Sequence, residues 1–222
     1  MEHVMPLSIS DEGSGFFRLI TNPHCIEQCC VYPTDDPTLL RTRAYVYAVL
    51  KGSGRKPYCP IVSMVEEANA YRVRIFSDSP DDIDFSIVLD ILEAKYRELS
   101  PGPTYAGQPL DLTTVVAAFS HLQTNDEAFC RVLAEVHTAH RFRFIRQGLM
   151  IAYMHPHHSL GSSSLKRQKA GSEPLYLSAI PLIVIRRMIP ADDRFMRTEE
   201  EKRAYAQFFG AGAHSAGWNV DS

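Results

Sequence analysis

The chain has 222 residues, of which 45% are hydrophobic and 22% are charged. These values are typical of one globular domain and exclude a disordered chain. The formal net charge of −3 argues against general binding to nucleic acid or to an anionic membrane. No apolar run approaches the ~18 residues of a membrane-spanning helix, and the first ten residues lack the apolar core of a secretory signal. We therefore expect a cytoplasmic protein.

The chain is expected to divide into three parts. Residues 1–35 show no clean periodicity beyond the short apolar stretch at 16–20, so we predict an N-terminal extension or a short helix packed on the domain. The domain itself is predicted to span residues 36–205. Residues 206–222 are expected to form a C-terminal tail.

Three stretches carry helix signals. Each begins with acidic or capping side chains, with a proline in two of the three, and continues with apolar residues. The starts are Asp35-Asp36-Pro37, Ser79-Pro80-Asp81-Asp82, and Thr124 or Asn125. The second helix has apolar residues at too many positions for a narrow stripe, among them Ile83, Ile87 and Leu89, so we expect it to be largely buried.

Four apolar or β-branched runs predict strands, at residues 71–76, 113–119, 148–154 and 181–185. These strands and the helices interleave without a regular β-α-β rhythm. The sequence therefore predicts an α+β fold, with a mixed β-sheet packed with helices in a single domain, and not a doubly wound sheet.

Three histidines, His155, His157 and His158, directly follow the apolar run at 148–154. A strand end is a rigid position, and Pro156 fixes the backbone just beyond it. A neutral imidazole at His155 is suited to binding a metal from the floor of a dry pocket. Three histidines in four residues also fit zinc or copper, although adjacent side chains tend to point apart. Solvated or hydrogen-bonded histidines are the alternative interpretation.

Other candidate residues are weaker. Cys59 could supply a thiolate to haem iron or act as a nucleophile, but a packed thiol is the simpler interpretation. Lys166 and Arg167 could pair with an anionic ligand, or lie in a solvated loop. The remaining cysteines are expected to be reduced thiols, and three further histidines core or surface residues. These residues are Cys25, Cys29, Cys30, Cys130, His121, His137 and His140.

Several short motifs occur in an order that is characteristic of a known group. They are Tyr58-Cys59-Pro60-Ile61-Val62, the segment 129–137, the segment 150–156 that closes in His155-Pro156, and Pro181-Leu182-Ile183-Val184 with Phe195. This order resembles that of the bacterial YqcI/YcgG-like proteins and related domains of unknown function. The similarity spans roughly residues 55–200, and the His-Pro ending is its most specific part.

Characterised members of that group are haem proteins that N-oxygenate amino or guanidino substrates. The resemblance implies haem b with His155 as the iron ligand and Cys59 as a pocket residue. The family's serine–arginine cluster is replaced here by residues 157–161, which include His158, so Lys166 or Arg167 would have to hold the propionates. The resemblance also implies a small-molecule substrate and an external electron donor or peroxide. A homodimer is left open.

Three hypotheses therefore stand. The first is a haem-dependent oxygenase that N-hydroxylates a small amino- or guanidino-containing substrate. The second is a haem or small-ligand binding protein without turnover, such as a sensor or carrier. The third is a non-haem metal protein built on His155, His157 and His158. The haem hypothesis depends on a His155 ring that points into the protein and not into water.

Overall fold

Seven strands form one mixed sheet. They are β1 (Leu7–Asp11), β2 (Phe16–Ile20), β3 (Tyr32–Pro33), β4 (Tyr71–Phe76), β5 (Thr114–Phe119), β6 (Leu149–Met154) and β7 (Leu182–Arg187). Their order in the sheet is β3-β1-β2-β4-β5-β7-β6. Strands β4 and β5 pair in parallel, and the other neighbours pair antiparallel. The predicted α+β class with a mixed sheet is therefore confirmed.

The four helices whose bounds lie among the described residues pack on this sheet or on one another. They are α1 (Pro37–Tyr45), α2 (Phe85–Leu99), α3 (Glu127–Ile145) and α4 (Glu199–Phe209), with short 3-10 helices at Pro80–Asp82 and Pro190–Phe195. The computed structural model describes residues 7–11, 15–20, 32–33, 36–45, 65, 68, 70–78, 80–100, 111–120, 127–155 and 180–210. Among these residues, no helix has the length and apolar character needed to cross a membrane.

The two faces of the sheet bury different apolar clusters. Because side chains alternate along a strand, Val115, Ala117 and Phe119 of β5 pack against α2 and α3. Val116 and Ala118 face the opposite side, where Leu39 of α1 joins them. We call these the α2–α3 face and the α1 face. A third cluster packs α4 against the end of α3 through Ile145, Ala204 and Tyr205, among others.

The N-terminal residues are part of the sheet. Strands β1 and β2 form an antiparallel pair, and β2 also pairs with β4. Phe16 is buried in the cluster on the α2–α3 face. The predicted short helix is therefore wrong, because the stretch Phe16–Ile20 is a strand, and the segment contributes strands to the sheet instead of packing on it.

Helix α2 begins later than predicted and buries only one side. Pro80–Asp82 form a separate 3-10 turn, and Asp84 caps α2 by accepting hydrogen bonds from the N–H groups of Ser86 and Ile87. Ile87 is 58% exposed, so the prediction of a largely buried helix is wrong at this position. The helix lies on one face of the sheet, which leaves its other side in water.

The other predicted elements agree with the structure except at their ends. The Asp36 carboxylate caps α1 through the N–H groups of Thr38 and Leu39, as its acidic start predicts. The four predicted strands are β4, β5, β6 and β7. The predicted tail boundary at 206 is wrong, because α4 continues to Phe209, and Phe208 and Phe209 pack on the third cluster.

Candidate functional site

Strands β4, β5 and β6 end at the same edge of the sheet. Strand β4 is parallel to β5, and β6 also runs in the direction of β5 because both are antiparallel to β7. The residues that directly follow these strands are Ser77, Ser120 and His155. The carboxyl edge of parallel strands is the usual place for ligands in open α/β sheets. A functional site is therefore expected at this edge.

His155 is buried at this edge, with 5% of its surface exposed. Its ring stacks on that of Tyr153, with ring centroids 5.6 Å apart and planes inclined by 23°. Tyr153 packs against the cluster on the α2–α3 face, and residues two apart on a strand point the same way. The His155 ring therefore points into the protein on that face.

His137 of α3 contacts both the backbone of β6 and the Tyr153 ring. Its Nε2 atom lies 3.1 Å from the carbonyl oxygen of Ile151. Because a carbonyl can only accept, Nε2 carries the hydrogen and donates. The His137 ring also contacts Tyr153, with centroids 4.9 Å apart. We call His137, Tyr153 and His155 the ring stack.

Tyr153 has a mixed environment. Its side chain is half-buried, and burial raises the pKa of the phenol, while the nearby cation of Arg197 acts in the opposite direction. The backbone N–H of Arg197 donates to Glu201, 2.5 Å away. Glu201 in turn forms a buried ion pair with Arg141, with 2.8 Å between Nε and Oε1. This ion pair thus ties the Arg197 backbone to α3 and α4.

Phenylalanines fill the same face on the other side of β7. Phe85, Phe119 and Phe129 contact one another, and Phe76 contacts Phe119, with ring centroids 5.4 to 5.8 Å apart. Phe85 starts α2, and Phe129 lies in the first turn of α3. The carboxyl edge is thus strongly aromatic on the α2–α3 face.

Pro181 lies between these rings and His155. The Phe119 N–H donates to the Pro181 carbonyl over 3.2 Å, and Met154 pairs with Leu182 one position before His155. The register therefore sets Phe119, Pro181 and His155 in one row across β5, β7 and β6. His155 thus lies at the end of a row whose other two residues are apolar.

A second buried cluster lies at the opposite edge, and its residues are Tyr96, Ser100, Asp111 and Arg187. The hydroxyls of Tyr96 and Ser100 both donate to Asp111, the latter over 2.6 Å. Arg187 lies 3.8 Å from the same carboxylate. We call these four residues the polar cluster. No local signal in the sequence predicts it, because its members are scattered over 92 positions of the chain and only the fold brings them together.

The polar cluster shifts the pKa values of two of its side chains. Burial alone would raise the pKa of Asp111, but hydrogen bonds from Ser100, Tyr96 and Thr113 hold it below its ordinary value. Burial, together with the hydrogen bond to Asp111, raises the pKa of Tyr96. The cluster therefore favours an ionised carboxylate beside a neutral phenol.

Only some of the predicted site residues are described by the structure, and His155 is one of them. His137, which the sequence predicts to be a core or surface residue, joins His155 in the ring stack. Cys59, His157, His158, Lys166 and Arg167 lie outside the described residues, as do Cys25, Cys29, Cys30 and His121. Cys130 is a buried free thiol. Within the described part of the chain, no three His, Cys, Asp or Glu side chains form a group suited to a metal ion.

Comparison with known proteins identifies one relationship. A family model described as a domain of unknown function, DUF6875, matches residues 41–218, which is most of the chain. No curated protein matches the chain, and no solved structure does. The matched residues include both the ring stack and the polar cluster.

Proposed function

The chain belongs to the DUF6875 family of domains of unknown function, and on that premise we propose that it is a cytoplasmic haem-dependent oxygenase. The proposed substrate is a small molecule with an amino or guanidino group, which is N-hydroxylated. Electrons come from an external donor or from peroxide. We also propose that the chain is related to the YqcI/YcgG-like haem proteins, and the order of short motifs supports this relationship.

The observation that carries the proposal is the placement of His155. An iron ligand has to be held in one orientation at the border of an apolar space. The His155 ring is 5% exposed, follows a buried strand directly and stacks on Tyr153. These features fit the ligand position of a haem. The buried phenylalanines around Phe119 make the surroundings on the same face of the sheet apolar.

The residues of the chain have defined roles in this proposal. His155 would bind the iron, and Tyr153 and His137 would hold its ring. Lys166 and Arg167 would pair with the propionates by charge-assisted hydrogen bonds, and Cys59 and His158 would line the pocket. A bound haem would supply the redox chemistry of the oxidation. The apolar surroundings of His155 would limit the access of water to the iron.

The test is an absorption spectrum after reconstitution with hemin. We expect the wild type to show the strong Soret band of a bound haem and His155→Ala to lose the band of the ligated form. His140→Ala is the matched control, because His140 lies on α3 outside the ring stack and is only partly buried. It should bind hemin as the wild type does. A wild type without the band would refute the proposal.

Two further measurements separate this function from its rivals. Oxygen consumption that depends on arginine or a related small amine supports an oxygenase. A Soret band without such consumption would instead indicate a haem-binding sensor or carrier. Elemental analysis that finds stoichiometric zinc or copper, and no porphyrin, would point to a non-haem metal protein built on His155, His157 and His158.

A further inference from the structure

We infer that Tyr153 is a positioning residue that fixes the ring orientation of His155, with His137 as its support. This inference deepens the proposed function of the same site and rests on it only where ligand binding is concerned. The orientation of the His155 ring itself is a property of the protein without any ligand. The two parts can therefore be tested apart.

The geometry of the ring stack restrains the His155 ring. The rings of Tyr153 and His155 are inclined by only 23°, so they face one another. Rotation of the His155 ring about its Cβ–Cγ bond would bring its edge against the phenol face and lose the parallel contact. Contacts between aromatic rings favour the stacked orientation of an imidazole by roughly 2- to 13-fold beyond the effect of the area they bury.

Tyr153 also contacts a second buried ring. The ring of His137 lies 4.9 Å from that of Tyr153. His137 is 5% exposed and is fixed to the backbone of β6 by its hydrogen bond to the Ile151 carbonyl. Tyr153 thus contacts an imidazole that is itself held in place, and this contact links the position of α3 to that of His155.

The orientation of the His155 ring matters for binding a metal. A ligand imidazole binds a metal with the lone pair of one ring nitrogen, so the ring orientation decides whether that nitrogen points at the ligand site. Residues that orient such a ligand without touching the metal typically change its affinity by about 10- to 100-fold when replaced. We expect Tyr153→Leu to weaken hemin binding within this range. Tyr153→Phe keeps the ring and should bind hemin nearly as the wild type does.

The decisive experiment uses the full chain without haem. Histidine is labelled with ¹³C and ¹⁵N, and the ring signals of His155 are assigned as those that His155→Ala removes from the nine histidines. The signals followed are those of the two ring nitrogens, because their shifts depend on the hydrogen bonds that the ring orientation allows, whereas the ring current of a neighbouring phenol changes them little. We expect Tyr153→Leu to move them toward the positions of a free imidazole, whereas Tyr153→Phe leaves them in place. Tyr205→Leu, which removes a buried tyrosine from the third cluster, is the control and should not move them.

The outcomes separate the two claims. Unchanged His155 signals in Tyr153→Leu would overturn the inference, as would equal shifts in Tyr153→Leu and Tyr153→Phe. Shifted signals together with a wild type that binds no hemin would support the positioning role and refute the proposed function. His137→Gln keeps a donor for the Ile151 carbonyl but removes the supporting ring. If Tyr153→Leu does not fold, shifted His155 signals in His137→Gln support the inference, and unchanged signals overturn it.

Discussion

Tyr96 and Tyr153 lie on the same face of the sheet, near its opposite edges, and they are held in different ways. The Tyr96 hydroxyl donates to Asp111, which also accepts from Ser100 and lies near Arg187. The rings of His137 and His155 both contact that of Tyr153, and its pKa is affected by burial and Arg197. The hydroxyl of Tyr96 is thus part of a buried hydrogen-bond network, and the ring of Tyr153 contacts two imidazoles.

This difference separates a structural cluster from a candidate site. In the polar cluster, the charged and hydroxyl groups interact with one another, and the cluster joins the end of α2 to the start of β5 and the end of β7. Such a network stabilises the fold when all its members are present. In the ring stack, the contacts are made by ring faces, and it lies at the carboxyl edge, where ligands usually bind. Substitutions should therefore affect stability at one edge and ligand binding at the other.

The largest effect is expected from Asp111→Asn. The change removes the negative charge beside Arg187 while it preserves volume, and loss of one partner of a buried ion pair costs about 3 kcal/mol or more. Urea unfolding should show this decrease in the free energy of unfolding. Asp78→Asn, at an exposed position, should change it by less than about 0.5 kcal/mol. An Asp111→Asn protein as stable as the wild type would contradict a structural role for the polar cluster.

The next effect is expected from Tyr96→Phe. It removes one donor to the buried carboxylate of Asp111, and hydrogen bonds to charged groups contribute about 1.5–3 kcal/mol. The same urea titration measures the change. The His155 ring signals should stay where they are, because the polar cluster lies at the other edge of the sheet. Movement of those signals in Tyr96→Phe would show that the two edges are coupled and would weaken the comparison.

A pH titration should show a smaller, graded effect. The pKa of Asp111 in the folded protein is below its ordinary value of 3.8, so the unfolded chain binds the proton more tightly. The stability that Asp111 contributes is thus present above the ordinary value and is lost as the pH falls through it toward the folded pKa. We expect the difference in unfolding free energy between wild type and Asp111→Asn to stay nearly constant from pH 7 to about 5 and to shrink as the pH falls through about 4 and below. A difference that stays constant below about pH 4 would contradict the lowered pKa.

The smallest effect on stability is expected from Tyr153→Phe. Its ring contacts with His137 and His155 are kept, so the free energy of unfolding should change by less than about 0.5 kcal/mol. The same substitution is thus harmful at Tyr96 and nearly neutral at Tyr153. Chemical denaturation of the two variants side by side measures this contrast. Equal losses would show that the Tyr153 hydroxyl also contributes to the fold.

The sequence predicted the local elements well and the long-range contacts poorly. The strands at 71–76 and 148–154 are apolar enough to be recognised, and the acid and proline at the start of α1 are a local signal. Strand β2 was missed because Phe16–Ile20 is short and its pairing with β4 joins residues more than fifty positions apart. Long-range pairing leaves no trace in local periodicity.

The candidate site shows the same limit. His155 stood out because it follows a buried strand and precedes a proline, which are neighbours in sequence. His137 and Tyr153 carried no such signal, because their contact depends on how α3 crosses β6. The Asp111 carboxylate was not singled out for the same reason, since its partners come from α2 and β7. Ring contacts and buried hydrogen bonds of this kind require the fold itself.

His137 has one more consequence, for the outer border of the sheet. Strand β6 is the last strand in the order, and the alternation of its antiparallel bonds with β7 turns the Ile151 carbonyl outward. An outward carbonyl on a border strand invites a foreign strand to add itself, which is a route to aggregation. The imidazole of His137 occupies this acceptor from the side. At the other border, β3 has two residues, and one of them is Pro33, which lacks an N–H group to offer. One acceptor on β6 and one donor on β3 are thus withheld from an added strand.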